Sequence, residues 1–306
     1  PIRELTIPDS VVEIAESAFA YSSIQSVQMG TGVKTIARDA FAYSYELHTV
    51  TLSPNLESIG DSAFAGCYEL KMLIIPKSVV TIGELAFYGC DVATLCFEVS
   101  APMEAWGDHW TKIQPDHTPN TRGILFGFKQ LVRVGDFEII LYEDKAAVAQ
   151  YVGADAEGII PSTVEGAPVD QIMPRAFYRN TSVVFVSIPD SVHSIGIEAF
   201  MECENLTTAP LPASLQYIGN SAFGQCWCYS GDGNYTLIIP STVTYVGEYA
   251  FEYGYLTQIF VPLSVTHAGQ YAFAAYATVY CAAPEKPQGW HDMALGANAA
   301  YWNFDR

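Results

Sequence analysis

Ser58-Ile59-Gly60-Asp61-Ser62-Ala63-Phe64-Ala65-Gly66-Cys67 is a unit to which the chain keeps returning. It comes back as Thr81-Ile82-Gly83-Glu84-Leu85-Ala86-Phe87-Tyr88-Gly89-Cys90, as Ser194-Ile195-Gly196 through Cys203, and as Tyr217-Ile218-Gly219 through Cys226. Nine Ala-Phe pairs mark it, with phenylalanines at 19, 41, 64, 87, 177, 200, 223, 251 and 273. Inside each run the steps are 22 or 23 residues, with one of 28 between Phe223 and Phe251. A fixed period of this size predicts a solenoid, in which a unit too small to bury its own apolar face stacks on copies of itself.

Each unit has two halves. The first alternates and ends in proline, as in Leu70-Lys71-Met72-Leu73-Ile74-Ile75-Pro76 and Leu256-Thr257-Gln258-Ile259-Phe260-Val261-Pro262. Alternation over three to five residues predicts a short strand with one buried face, and proline ends it because it has no amide to give to a ladder. The second half, as in Ser78-Val79-Val80-Thr81-Ile82-Gly83, predicts another short extended piece turned by glycine. The Ala-Phe segment that follows reads as a single helical turn, with phenylalanine filling the core and alanine allowing neighbouring coils to approach. The fold class expected is therefore a β-rich solenoid of short strands and single helical turns, with a repeat of about 23 residues.

The periodicity stops after Phe87 and again after Phe273, in aromatic-rich stretches that hold four of the five tryptophans (Trp106, Trp110, Trp290 and Trp302). An open solenoid end would expose core, so these read as C-terminal caps of two tandem blocks, residues 1–118 and 119–306, joined near 119–135. The second block has a strand-rich opening, Phe137 to Asp144 and Ala146 to Tyr151. The first begins inside a repeat, at Leu5-Thr6-Ile7-Pro8, which predicts that the chain is part of a longer protein or follows a removed segment.

The formal charge of -19 is spread evenly: six bases face fifteen acids in 1–118, and eight face eighteen in 119–306. Nucleic acid and anionic membrane surfaces both need basic patches, so neither is an expected partner. No apolar run is long enough for a membrane helix. Four of seven cysteines (Cys67, Cys90, Cys203 and Cys226) fall three residues after a repeat phenylalanine, where a thiol acts as a small buried hydrophobe. No zinc-type pattern accompanies them, and no cofactor is expected.

The unit L-x-x-V-x-I-P-x-S-V-x-x-I-G-x-x-A-F-x-x-C resembles the BspA-like leucine-rich repeats of bacterial surface proteins. The resemblance covers nearly the whole chain and extends to the tryptophan caps and the opening of the second block. It implies a leucine-rich-repeat solenoid, an extracellular or cell-surface location, and a non-catalytic binding or adhesion module that recognises a host or microbial protein or glycan as a monomer. Three departures stand out. An insertion, Trp227-Cys228-Tyr229-Ser230-Gly231-Asp232-Gly233-Asn234, makes the long step. Ala209-Pro210-Leu211-Pro212 weakens one strand. Tyr43-Ser44 and Arg179-Asn180 replace the cysteine.

Solenoids bind along a concave sheet through the outward residues of each strand. In the first block these are polar and threonine-rich: Glu4, Thr6, Ser26, Gln28, Thr49, Thr51, Met72 and Ile74. In the second, Phe185, Ile238, Phe260 and Tyr280 are expected along one ladder, flanked by Ser187, Thr236 and Gln258. An apolar ladder suits a groove for a ligand, or packs under a loop. The insertion adds Trp227 and Tyr229 on a loop, suited to recognition or simply tolerated. Asp232-Gly233-Asn234 is too short for a calcium loop. Asp190-Ser191-Val192-His193 has the residue types of a hydrolytic triad, but adjacency in sequence is not triad geometry. His109 and His117, with Asp108 and Asp116, match no rigid metal spacing. Three functions remain in view: a binding module, a spacer within a larger surface protein, and an enzyme, the last requiring a polar pocket that the sequence does not announce.

Overall fold

The computed structural model describes residues 2–106, 109–110, 123–226, 236–252, 254, 256–273 and 277–304. The chain divides into two compact units, residues 1–129 and 130–306. The division falls after strand Ile124–Phe126, because that strand pairs with Thr94–Phe97 and closes the first unit's sheet.

In the first unit each coil lays one strand on each of two parallel sheets. The longer sheet runs Glu4–Ile7, Ser26–Met29, Thr49–Thr51, Met72–Ile75, Thr94–Phe97 and Ile124–Phe126. The shorter runs Glu13–Ile14, Thr35–Ile36, Ser58–Ile59 and Thr81–Ile82. Register follows the repeat, so Val27 pairs with Val50 and Ile36 with Ile59. Like therefore stacks on like: Leu47 on Leu70, Leu56 on Val79, and Phe41, Phe64 and Phe87 in one column, all fully buried. The column's rings lie nearly parallel, with centroids 5.3 Å apart between Phe41 and Phe64 and 5.7 Å between Phe64 and Phe87. Each such side chain stabilises the fold by roughly 1.5–3 kcal/mol on burial.

The Ala-Phe segments form tight turns rather than the expected helical turns. Ser62 and Gly66 both have positive φ, 52° and 72°, on either side of Ala63-Phe64-Ala65. Amides then alternate in direction. Ala63, Ala65 and Cys67 donate three residues back within the coil, whereas Ser62, Phe64 and Gly66 donate to the carbonyls of Glu84, Ala86 and Tyr88 in the next coil. A helix would send those amides back four residues; the neighbouring coil takes them instead. Among the described residues the one helical element is a 3-10 turn at Glu104–Trp106.

The recurring Ile-Gly glycine is required by close approach. A Cβ on Gly83 would lie 2.4 Å from the Asp61 amide nitrogen, and one on Gly196 would lie 2.5 Å from the Pro174 nitrogen. The thiols fill a fixed place as well. Cys67, Cys90, Cys203 and Cys226 are buried, and each Sγ donates to the repeat phenylalanine carbonyl of the preceding coil. Ser44 does the same to Phe19 at 2.8 Å. Trp106 and Trp110 are buried against Phe97, as expected of a cap.

The second unit opens with the two expected strands, which pair as a hairpin, Phe137–Tyr142 antiparallel to Lys145–Tyr151, preceded by a paired strand, Phe128–Val134, that the sequence reading missed. Its ring stack begins with Tyr151 on Phe177 and continues through Phe200, Phe223 and Phe251. The Tyr142 hydroxyl donates to Asp170 and accepts from Gln171 Nε2 at 2.9 Å. Burial, then the Asp170 charge, pushes that phenol's pKa far up. Ala167–Ile172 joins the hairpin in parallel, followed by Ser194–Ile195, Tyr217–Ile218, Tyr245–Val246 and His267–Ala268. At the far end Trp290 is buried, its Nε1 donating to the Val265 carbonyl at 2.9 Å, with Trp302 packed on it.

Candidate interaction surface

The outward side chains of the second unit's other strands form two rows. Strands Thr236–Ile238, Gln258–Val261, Thr278–Cys281 and Ala300–Tyr301 pair in parallel. Register places Thr236, Gln258 and Thr278 in one row and Ile238, Phe260, Tyr280 and Tyr301 in the other. The second row is the apolar one. Phe260 stacks on Tyr280 at 4.9 Å and Tyr280 on Tyr301 at 5.4 Å. Its ends are open, with Ile238 52% and Tyr301 57% exposed, while Phe260 and Tyr280 are half-buried. Phe304 leans over both of these rings, 5.5 and 4.8 Å from their centroids.

Phe185 is not in this ladder, contrary to expectation. Its strand, Phe185–Ser187, pairs with Glu157–Ile159, and Phe185 meets Thr208 through an isolated bridge. That puts Phe185 in the row of Thr208, one position off the apolar row, with Ser187 opposite Ile159. On this face, among the described residues, the strand row after Thr208 resumes at Thr236, because Ala209-Pro210-Leu211-Pro212 offers two prolines where a ladder needs amides. An apolar cleft of about 480 Å³ opens there, lined among others by Leu206, Thr208, Leu211, Phe223, Leu237 and Phe251. Trp227 and Tyr229 lie outside the described residues.

In the first unit register places Glu4, Ser26, Thr49 and Met72 in one row, continued by the buried Thr94, and Thr6, Gln28 and Thr51 in another, while Ile74 pairs with Cys96. The triad residue types serve neighbouring coils. Asp190 Oδ1 accepts from the Ala213 amide at 3.2 Å, and Ser191 Oγ donates to the Ser162 carbonyl at 3.3 Å. Asp108, Asp116 and His117 lie outside the described residues. Among the described residues no group of three or more His, Cys, Asp or Glu side chains could hold a metal ion, and no helix is long and apolar enough to cross a membrane.

Comparison with known proteins follows the repeat. The family model described as the BspA type leucine-rich repeat region matches in six copies, over residues 1–101 and 170–282. Among solved structures, a leucine-rich repeat protein of T. pallidum is 29% identical, over 49% of this chain and 71% of its own, with a TM-score of 0.45. A leucine-rich cell surface protein of Faecalibacterium prausnitzii is 21% identical over 99% of this chain and 79% of its own, with a TM-score of 0.49. The pneumococcal vaccine antigen PcpA is 17% identical over 96% and 69%, also with a TM-score of 0.49. A search of the curated proteins found no match. With the repeat model covering well over half of its length, the chain belongs to the BspA type leucine-rich repeat family.

Proposed function

We propose that this chain is a non-catalytic binding module, secreted or carried on a bacterial surface, that engages a host or microbial surface protein or glycan through the second unit's open strands. The observation that supports this most is the in-register row Ile238, Phe260, Tyr280 and Tyr301, whose ends stand more than half exposed. Contiguous aromatic and aliphatic surface of this kind, bordered here by Thr236, Gln258 and Thr278, suits a recognition site. Family membership supports a surface location, and fold alone does not decide a ligand.

A spacer within a larger surface protein is the second reading. Phe304 favours it, because its ring already lies over Phe260 and Tyr280 and takes up part of the row. The test is a screen of the purified chain against immobilised extracellular-matrix proteins and a glycan array, beside an Ile238→Ser, Tyr301→Ser double variant. Both side chains are exposed, so the variant keeps its melting temperature. Saturable binding that weakens about tenfold or more in the variant supports the module. Binding to no immobilised partner, or equal binding by the variant, favours the spacer.

A further inference from the structure

The first unit carries an aromatic strip on its turn edge. Tyr21 stacks on Tyr43 at 5.1 Å, Tyr43 meets Tyr45 at 6.2 Å, and Tyr45 stacks on Tyr68 at 5.6 Å. Four rings from three successive coils thus form one continuous series. They are not core: Tyr21 is 71% exposed, Tyr45 50% and Tyr68 49%.

The backbone accommodates the strip in two ways. Tyr21 and Tyr43 both sit at φ 56°, in left-handed backbone that glycine adopts most readily. The equivalent positions in the next two coils are Gly66 and Gly89. Those glycines lie where the rings of the preceding coils come down: a Cβ on Gly66 would meet Tyr43 Cδ1 at 2.6 Å, and one on Gly89 would meet Tyr68 Cε1 at 3.1 Å. The rings are therefore laid flat along the turn edge by the residues omitted from the next coil.

The charge along this stretch is mainly negative. Glu46 and Glu69 follow Tyr45 and Tyr68 directly, and both are exposed. From Glu16 to Asp91 the acids are Glu16, Asp39, Glu46, Glu57, Asp61, Glu69, Glu84 and Asp91, and the bases are Lys34, Arg38, Lys71 and Lys77; Lys34 is engaged with Glu57 at 2.8 Å and Arg38 with Asp39 at 3.2 Å. Tyrosine hydroxyls offer acceptors, ring surfaces take aliphatic stems, and carboxylates take cationic heads. Lysine and arginine carry both the stem and the head.

We propose that this strip is a second docking surface, separate from the ladder of the other unit, and that its partner is a Lys/Arg-rich segment of another protein. The stems lie over Tyr43, Tyr45 and Tyr68, and the cationic heads reach Glu46 and Glu69.

The experiment titrates a fluorescein-labelled ten-residue peptide alternating lysine and serine into the full chain at about 0.15 M salt, where weak long-range attraction is screened. A peptide of the same length with glutamate for lysine is the control. Tyr45→Ser with Tyr68→Ser leaves the charge unchanged, Glu46→Gln with Glu69→Gln removes two charges at the strip, and Glu157→Gln with Glu285→Gln removes two elsewhere. The proposal expects saturable anisotropy with the lysine peptide alone, weakened about tenfold by either strip variant and less than about twofold by the distant one. Should the tyrosine variant melt early, Tyr21→Ser is read in its place. No saturable binding, equal effects of the two glutamate variants, or full binding by the tyrosine variant overturns the proposal. So does binding of cellohexaose that needs Tyr45 and Tyr68 while the lysine peptide is ignored, which would mark a glycan surface.

Discussion

The Cys67 Sγ donates to the carbonyl oxygen of Phe41, 3.2 Å away in the coil before. The same bond recurs at Cys90 to Phe64, and Ser44 makes its oxygen counterpart to Phe19. The thiol is thus a hydrogen-bonded spacer of the stack, with no role in cross-linking.

Burial pushes the Cys67 thiol from its ordinary 9.0 up to about 12, and does the same for Cys96 and Cys281. The attacking species is the thiolate, so these sites resist alkylation. Iodoacetamide at pH 8.5 should leave all three unlabelled in the native chain and label them fully in denaturant, read by peptide mass spectrometry. A folded pKa above the unfolded one means a stabilising contribution that is whole below pH 9 and drains away between 9 and about 12. Chemical denaturation midpoints should fall across that window. Cys67→Ser, which copies Ser44, should cost within about 1 kcal/mol.

Phe64 lies between Phe41 and Phe87 with no exposed surface. Phe64→Ala should destabilise the first unit by about 3–5 kcal/mol, since lost transfer energy and an unfilled cavity add. Hydrogen exchange should quicken most at the turn amides of Ser62, Phe64 and Gly66, which bridge to the next coil. Protection unchanged at those amides would mean that the ring column does not hold the coils together.

Gly83 and Gly135 give a matched pair. A Cβ on Gly83 would collide with the backbone of Asp61 and Gly60, whereas nothing lies within 4 Å of one on Gly135, whose φ is +57°. Gly135→Ala should cost only the left-handed penalty, about 1–2 kcal/mol. Gly83→Ala should cost more, because two coils must separate to admit a methyl group. Thermal melting of the two variants settles the order.

Much of this was readable from period and chemistry. Nine Ala-Phe pairs placed the column, the tryptophans marked the caps, and Phe137 to Tyr151 read as strands, though not as the hairpin they form. The turn geometry was hidden because Ala-Phe-Ala is a helix former by itself; the carbonyls that capture its amides belong to a coil 22 or 23 residues away. Phe185 was assigned to the apolar row although the prolines held the answer. Phe185 stands four residues before Pro189, whereas Ile238 and Phe260 each stand two before Pro240 and Pro262. The tyrosine strip was legible too, in Tyr21 and Tyr43 at 22 residues and Tyr45 and Tyr68 at 23, although it lies on the turn edge, where strand alternation gives no signal.

The alternating turn amides also give each coil a direction. Ser62, Phe64 and Gly66 point their N–H groups toward the following coil, whereas Gly60 and Gly83 point theirs back, to Ile36 and Ile59 at 2.8 Å. Amides two residues apart thus point in opposite directions along the stack. The two ends remain chemically unlike. A final coil presents turn amides that need acceptors, and in the second unit the carbonyls of Met293 and Ala294 receive Tyr271 and Phe273. A terminator for such a stack must therefore bring oxygens to one edge as well as a tryptophan to the core, and a sequence that kept Trp290 but rerouted residues 293–294 would leave the turn edge unsealed.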